Sequence, residues 1–183
     1  MARLKAVEPG QASGKAKQLL DGVQVKLGMT PNMMRTMANS PAVLEAYLNF
    51  SGALGGGALN AKLREQIALT VGEANSCEYC LSAHTAIGKM VGLNENDVAS
   101  ARQSASTDPK TEAALRFARE LVVKRGEVTD EDVRRVREAG YGDGEIAEIV
   151  ANVALNIFTN YFNHAAQTEV DFPKIALTAK KRA

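Results

Sequence analysis

Signals that start and stop α-helices recur along the whole of this 183-residue chain, and they constrain its fold more than any other feature. Thr30-Pro31, Ser40-Pro41 and Asp108-Pro109 each place a capping residue before a proline, the order that is typical of a helix start. No segment shows sustained strand alternation between hairpin turns. The sequence therefore predicts an all-α fold.

The same signals bound the individual helices. The four residues Gly72-Glu73-Ala74-Asn75 look like a turn, so one helix should end near Val71 and the next begin at about Ser76 or Cys77. The predicted helices cover about 13–27, a short stretch after Thr30-Pro31, 41 to the glycine triplet 55–57, 61–71, 76–92, a short stretch capped by Asn94, 109–124, a stretch capped by Thr129 and ending at Gly140, and 143–166.

The last of these helices, residues 143–166, carries apolar residues on more than one face. A helix that is apolar nearly all round must lie at the centre of a domain or be shared with another subunit. We expect both, and hence a homo-oligomer.

Size and charge exclude several classes of protein. A chain of 183 residues can bury a core without disulfide staples, so we predict one domain over 1–183. The net charge of +1 does not favour nucleic acid as a partner. No signal-peptide core and no apolar run of spanning length are present, which indicates a cytoplasmic protein without a membrane partner.

The two cysteines, Cys77 and Cys80, lie two residues apart, and His84 follows them by four. On a helix these three side chains form one stripe, and a CxxC pair can close a disulfide across one turn. A reducing cytosol keeps idle cysteines as thiols, so this pair is more plausibly catalytic or metal-binding than structural. Glu65, one helix earlier, is a carboxylate that can orient the imidazole of His84, and Glu73 is a competitor for the same role.

Spacing alone does not decide which cysteine is the nucleophile. A position nearer the helix start favours a lower pKa at Cys77, whereas proximity to His84 favours Cys80.

The motif resembles that of the AhpD-like alkylhydroperoxidases, within the carboxymuconolactone decarboxylase superfamily. The resemblance rests on Arg64-Glu65, on Cys77-Glu78-Tyr79-Cys80 and on Ala83-His84, with a motif core at about 60–92. The closing stretches Asn160-Tyr161-Phe162-Asn163-His164 and Thr168–Pro173 resemble the tail of the peroxidase-related branch. The branch that decarboxylates a lactone lacks the paired cysteines, so the redox branch fits better.

This resemblance implies an AhpD-like helical domain that assembles into a trimer or hexamer. It implies an antioxidant enzyme that reduces organic hydroperoxides or hydrogen peroxide, with Cys80 as the peroxidatic cysteine, Cys77 as the resolving cysteine, and His84 and Glu65 as a proton relay. No bound cofactor is implied. Electrons would come from an external dithiol, dihydrolipoamide on a carrier protein or a thioredoxin-like donor. Tyr79 stands where better-known members have a second histidine, and phenol is a poorer proton shuttle at neutral pH.

Three other functions fit the same residues. Cys77, Cys80, His84 and His164 could bind zinc, although His164 is better explained by structural hydrogen bonding. The pair could report oxidation to a partner without turning over peroxide, or the protein could be an oligomeric scaffold whose cysteines are idle.

Overall fold

The structure, a computed structural model, describes residues 2–178. Met1 and residues 179–183, which the single-domain prediction includes, lie outside the described residues. All regular structure between residues 2 and 178 is helical, which confirms the all-α prediction. The elements are a 3-10 turn at Pro9–Gln11 followed by α1 (Gly14–Leu27), α2 (Asn32–Met37), α3 (Pro41–Gly55), α4 (Ala61–Ala74), α5 (Glu78–Met90), α6 (Glu95–Arg102), α7 (Pro109–Val123), α8 (Asp130–Glu138) and α9 (Asp143–Ala166).

Side-chain caps fix several helix starts where the sequence predicts them. The Oδ1 atom of Asn60 accepts a hydrogen bond from the backbone N–H of Leu63 at 2.9 Å and so caps α4. At α8, Thr129 and Asp132 form the predicted capping box. Each such cap is worth about 1 kcal/mol, because it satisfies a backbone donor that the helix leaves free.

The turn predicted at 72–75 begins later and is shorter in the structure. Helix α4 continues to Ala74, and only Asn75, Ser76 and Cys77 separate it from α5, with Ser76 at a φ of 54°. Gly72 is helical and buried, and a Cβ atom there would lie 3.4 Å from the Cδ2 atom of Leu81. This glycine therefore serves the close packing of α4 on α5 and does not mark a turn.

The start of α2 also differs from the prediction, which placed the cap at Thr30. Pro31 occupies the capping position of α2, and its side chain cannot accept the hydrogen bond that a cap provides. The backbone N–H of Asn32 instead donates to the Asp171 carboxylate at 2.7 Å. A residue 139 positions away completes this helix start.

The larger hydrophobic core surrounds α4, which packs against α5, α6, α7 and α9. Its buried side chains include Ile67 and Leu69 of α4, Leu115 of α7 and Ile149 of α9. This core holds α4 and α5 in fixed relative positions, and those two helices carry the predicted site residues.

We expect Leu115→Ala to lower the free energy of unfolding by about 2–5 kcal/mol, because it leaves a cavity in a fully buried position. Val123→Ala on the same helix removes a side chain that is 61% exposed and should change stability by less than about 0.5 kcal/mol. Chemical denaturation of both variants measures the difference. Equal losses would contradict this description of the core.

A second hydrophobic cluster lies between the amino-terminal helices and α5. It contains Leu20 of α1, Met37 of α2 and Leu44 of α3 together with both cysteines. The CxxC pair is therefore part of an apolar interface between helices.

Helix α9 packs against α3, α4, α5 and α7, so its predicted central position is confirmed. One face is nonetheless exposed and apolar, with Val150, Phe158 and Tyr161 between 40% and 61% accessible. Sharing of this face with another subunit stays a prediction. None of the helices within residues 2–178 has the length and apolar character needed to cross a membrane.

The tail, residues 167–178, returns across the start of α5. The backbone N–H of Ile175 donates to the Ser82 hydroxyl at 3.1 Å, and Arg102 donates to the carbonyl of Ala176 at 2.8 Å. The Phe172 ring meets the ring of Tyr79 edge to face, with centroids 5.8 Å apart. The tail thus packs against the helix that carries the cysteine pair.

Candidate active site

The two cysteines lie at the amino-terminal end of α5. Cys77 is the capping residue, and its Sγ atom accepts a hydrogen bond from the backbone N–H of Cys80 at 3.4 Å. The two Sγ atoms are 2.6 Å apart, and both residues are thiols that are at most 2% exposed. The predicted stripe therefore brings the sulfur atoms into direct contact.

The surroundings of the two thiols push their pKa values apart. Burial opposes ionisation of Cys80, but the hydrogen bond from the Cys77 thiol and the positive charge of His84 outweigh it, so the pKa of Cys80 is lowered. The hydrogen bond to Cys80, then burial and the negative charge of Cys80, raise the pKa of Cys77. Of the two alternatives that spacing left open, the electrostatics favour Cys80 as the thiolate.

Two asparagines of α9 also face Cys80, and the sequence prediction gave neither a role. The Nδ2 atom of Asn163 donates to Cys80 Sγ at 3.4 Å. Asn160 is fully buried, its Nδ2 atom has no conventional hydrogen-bond partner among residues 2–178, and its amide also contributes to the lower pKa of Cys80. A signal was present, because asparagine is costly inside an apolar helix unless its amide has a task.

We expect Asn163→Leu to raise the pKa of Cys80 by about one unit, since a hydrogen bond to a charged group is worth about 1.5–3 kcal/mol. The pH dependence of iodoacetamide alkylation, measured in a Cys77→Ser background, gives this pKa. Removing a donor disfavours the thiolate, so the midpoint should move to higher pH. Asn96→Leu on the exposed side of α6 is the matched control, and an equal midpoint in both variants would contradict the assignment.

His84 and Glu65 meet as the sequence predicts. The Nδ1 atom of His84 on α5 lies 2.7 Å from a carboxylate oxygen of Glu65 on α4. Burial lowers the pKa of His84, but the negative charge of Glu65 and this hydrogen bond raise it by more. The net effect is a raised pKa of His84. Glu73, the competing carboxylate, instead pairs with Arg102 at 2.7 Å.

A cavity of about 130 Å³ opens onto Cys80, His84 and Glu65. Most of its wall is apolar. The wall residues that bear on the chemistry are Met33, Met34, Tyr47, Leu54, Asn156, Thr159 and Phe172. Cys77 is not among the residues that line this cavity, so a small molecule entering it meets Cys80.

Tyr47 of α3 is a cavity residue that the sequence prediction missed. Burial first, then the negative charges of Glu65 and Cys80, raise its pKa to about 12. The phenol therefore stays protonated and can donate a hydrogen bond at neutral pH. It lies 30 positions before Cys77, and no local pattern connects the two residues.

Tyr79 and His164 have structural partners. The Tyr79 hydroxyl accepts a hydrogen bond from the backbone N–H of Met33 at 3.1 Å, and its pKa is raised mainly by burial. The Nε2 atom of His164 lies 2.9 Å from the backbone oxygen of Asn75. Within residues 2–178, no three His, Cys, Asp or Glu side chains are grouped as metal ligands.

The helical fold and the buried pair of thiols identify the chain as an all-α protein with a CxxC site. Residues 41–120 match the model of the carboxymuconolactone decarboxylase family. No curated protein matches the chain significantly.

Solved structures share the fold over most of the chain. A structure described as an alkylhydroperoxidase AhpD core, an uncharacterised peroxidase-related protein from Ralstonia eutropha JMP134, is 26% identical with a TM-score of 0.84, over 93% of this chain and 92% of that one. A peroxidase-related protein from Silicibacter sp. TM1040 is 25% identical with a TM-score of 0.79, over 90% and 91%. A cysteine-to-alanine variant of the debrominase Bmp8, in complex with 2,3,4-tribromopyrrole, is 22% identical with a TM-score of 0.79, over 92% and 91%.

These similarities confirm the resemblance to the AhpD-like, peroxidase-related proteins of the carboxymuconolactone decarboxylase superfamily that the sequence predicts. This resemblance does not fix the reaction, because one protein of this fold is named a debrominase.

Proposed function

We propose that the protein is a thiol-dependent peroxidase that reduces alkyl hydroperoxides in antioxidant defence. One observation carries the proposal: Cys80 lies at a largely apolar cavity with a second thiol 2.6 Å from its sulfur and a carboxylate-bound imidazole in the same cavity wall. A nucleophile, a resolving thiol and a proton donor are the three groups that peroxide reduction by cysteine requires.

In the first step the Cys80 thiolate attacks the terminal oxygen of the hydroperoxide, and the O–O bond breaks. The electron pair leaves with the alkoxide, which takes a proton from the His84 imidazolium and departs as an alcohol. The raised pKa of His84 and the lowered pKa of Cys80 favour the charged pair that this step needs. Tyr47 can hydrogen-bond the bound peroxide, and Glu65 orients the imidazole.

In the second step Cys77 resolves the oxidised cysteine. Its sulfur attacks the sulfur of Cys80 sulfenic acid, an S–S bond forms and hydroxide leaves. The hydroxide takes up the proton of the Cys77 thiol and becomes water. The raised pKa of Cys77 keeps this sulfur protonated until Cys80 is oxidised. An external dithiol then returns the pair to the thiol form, with dihydrolipoamide on a carrier protein as the donor that the family suggests.

The cavity favours organic hydroperoxides over hydrogen peroxide. Apolar side chains such as Met34, Leu54 and Phe172 line it and bury the alkyl part of a substrate, which is worth about 0.8 kcal/mol per methylene group. We expect cumene hydroperoxide to have a higher kcat/KM than hydrogen peroxide. A kcat/KM that is equal or lower would contradict this role of the apolar wall.

The test is turnover with a dithiol donor. Protein is mixed with cumene hydroperoxide and excess dihydrolipoamide, and loss of hydroperoxide is followed for the wild type and for a variant with both Cys77→Ser and Cys80→Ser. Catalytic consumption by the wild type alone is expected. Oxidation of the thiols without further turnover would reject the peroxidase and favour the redox-sensing alternative.

The same assay with 2,3,4-tribromopyrrole in place of the hydroperoxide asks whether the dithiol reduces a carbon–bromine bond. Release of bromide with no consumption of hydroperoxide would also overturn the proposal.

A further inference from the structure

A second cavity, of about 260 Å³, lies against the other cysteine. Its walls come from the start of α5, the end of α9 and the tail, and the residues that line it are Ser76, Cys77, Glu78, Tyr79, Asn163, His164, Gln167, Thr168, Val170 and Leu177. Cys80 is not among them, just as Cys77 is not among the residues that line the first cavity. The two cysteines therefore line two different cavities.

We infer that the reducing dithiol enters through this second cavity and attacks Cys77, while the peroxide reaches Cys80 through the first. The inference rests on the proposed dithiol–disulfide cycle and assigns its reductive half a site of its own. The occupant is a dithiol on a narrow, flexible arm. Cys77 is only 1% exposed, so a cysteine on the convex surface of a folded donor does not reach it.

The difference in pKa between the two thiols favours attack of the reductant on Cys77. Thiol–disulfide exchange is faster when the sulfur that leaves has the lower pKa, and here that sulfur is Cys80. The leaving Cys80 thiolate is received by the amide of Asn163, at 3.4 Å, and by the positive charge of His84. The attacking sulfur approaches the bond from the side opposite to the leaving one, and of these two cavities it is the second that Cys77 lines.

Two residues that line the second cavity have polar atoms that can accept a hydrogen bond from an incoming thiol. The Oδ1 atom of Asn163 and the Oγ1 atom of Thr168 are buried without a hydrogen-bond partner in the described part of the chain. Asn163 is 4% exposed, and both residues line this cavity. A free acceptor there can take the S–H hydrogen bond of a bound dithiol and hold its sulfur near Cys77.

Reduction of the disulfide proceeds by two thiol–disulfide exchanges. A thiolate of the reductant attacks Cys77 Sγ, the S–S bond to Cys80 breaks, and the electron pair leaves on Cys80. The second thiol of the reductant loses its proton to water and attacks the mixed disulfide, which closes the reductant's own disulfide and releases Cys77. Cys77 then takes a proton from water.

Two cavity-filling variants test whether the reductant and the peroxide use different cavities. The disulfide is formed with diamide and reduced with excess dithiothreitol, and oxidation of the reduced protein by cumene hydroperoxide is timed separately. Thr168→Phe should slow reduction at least about tenfold and leave oxidation unchanged, and Leu54→Trp in the first cavity should do the reverse. Lys174→Phe adds the same ring to the same tail at an exposed position outside both cavities. Reduction of Thr168→Phe at the rate of the Lys174→Phe control would overturn the inference.

Mapping of the mixed disulfide gives a second test, in the wild type, where folding is not in question. Oxidised protein is treated briefly with 2-mercaptoethanol and quenched with acid, and fragmentation of the tryptic peptide 65–89 locates the adduct. An adduct on Cys77 is expected, and an adduct on Cys80 would overturn the inference. Because diamide forms the disulfide, a protein that fails to reduce hydroperoxides still reports where a thiol attacks.

Discussion

Cys80→Ser is expected to lower kcat/KM for cumene hydroperoxide by at least about 10³-fold, because a serine hydroxyl at neutral pH does not replace a thiolate nucleophile. Cys77→Ser should behave differently. It keeps Cys80 with a hydroxyl as hydrogen-bond donor, so the first oxidation should proceed at a rate near that of the wild type. Without a resolving thiol, however, the sulfenic acid persists and is overoxidised within a few turnovers.

Steady-state and single-turnover rates of both variants give the comparison. Equal losses of single-turnover rate in Cys77→Ser and Cys80→Ser would contradict the division of roles. Circular dichroism of each variant checks that the helices of the CxxC interface are intact.

The second large effect is expected at the imidazole. His84→Ala should reduce kcat/KM by about 10²–10⁴-fold, the usual contribution of a positioned general acid. Glu65→Gln keeps a hydrogen-bonding group in place but removes the charge that raises the pKa of His84. The pKa of His84 should therefore fall, and the alkaline limb of the pH–rate profile, where the imidazolium loses its proton, should move to lower pH.

NMR titration of His84 measures this shift directly. Glu73→Gln is the matched control, since Glu73 pairs with Arg102 and not with His84. An unchanged pKa and an unchanged alkaline limb in Glu65→Gln would remove Glu65 from the relay.

Helix boundaries were predictable where local chemistry decides them. Asn60, Asn94 and Thr129 each cap a helix with a side chain three positions from the donor, and a pattern of that length is visible in the sequence. The same holds for α9, whose bounds agree with the prediction at both ends.

Errors arose where a distant contact overrides local propensity. Gly72 looks like a turn residue, but it lies inside α4 and is buried against Leu81 of α5. The start of α2 depends on Asp171, which no local pattern around Thr30 indicates. Tertiary packing decided both positions, and tertiary packing is what a single sequence shows least.

The candidate site divides in the same way. Cys77, Cys80 and His84 share one helix, so spacing alone predicted their proximity, and the family motif added Glu65. Residues that complete the site come from other helices: Tyr47 from α3, and Asn160 and Asn163 from α9. Their part depends on how α3 and α9 pack on α5, and the existence of two separate cavities depends on the tail as well.

The proposed mechanism requires that hydroperoxide oxidises the Sγ atom of Cys80. One equivalent of cumene hydroperoxide is added to Cys77→Ser and to Cys80→Ser protein, dimedone traps any sulfenic acid, and mass spectrometry counts the adducts. We expect one dimedone per chain in Cys77→Ser and none in Cys80→Ser. Labelling of Cys77 in the Cys80→Ser protein, or no labelling of either variant, would contradict it.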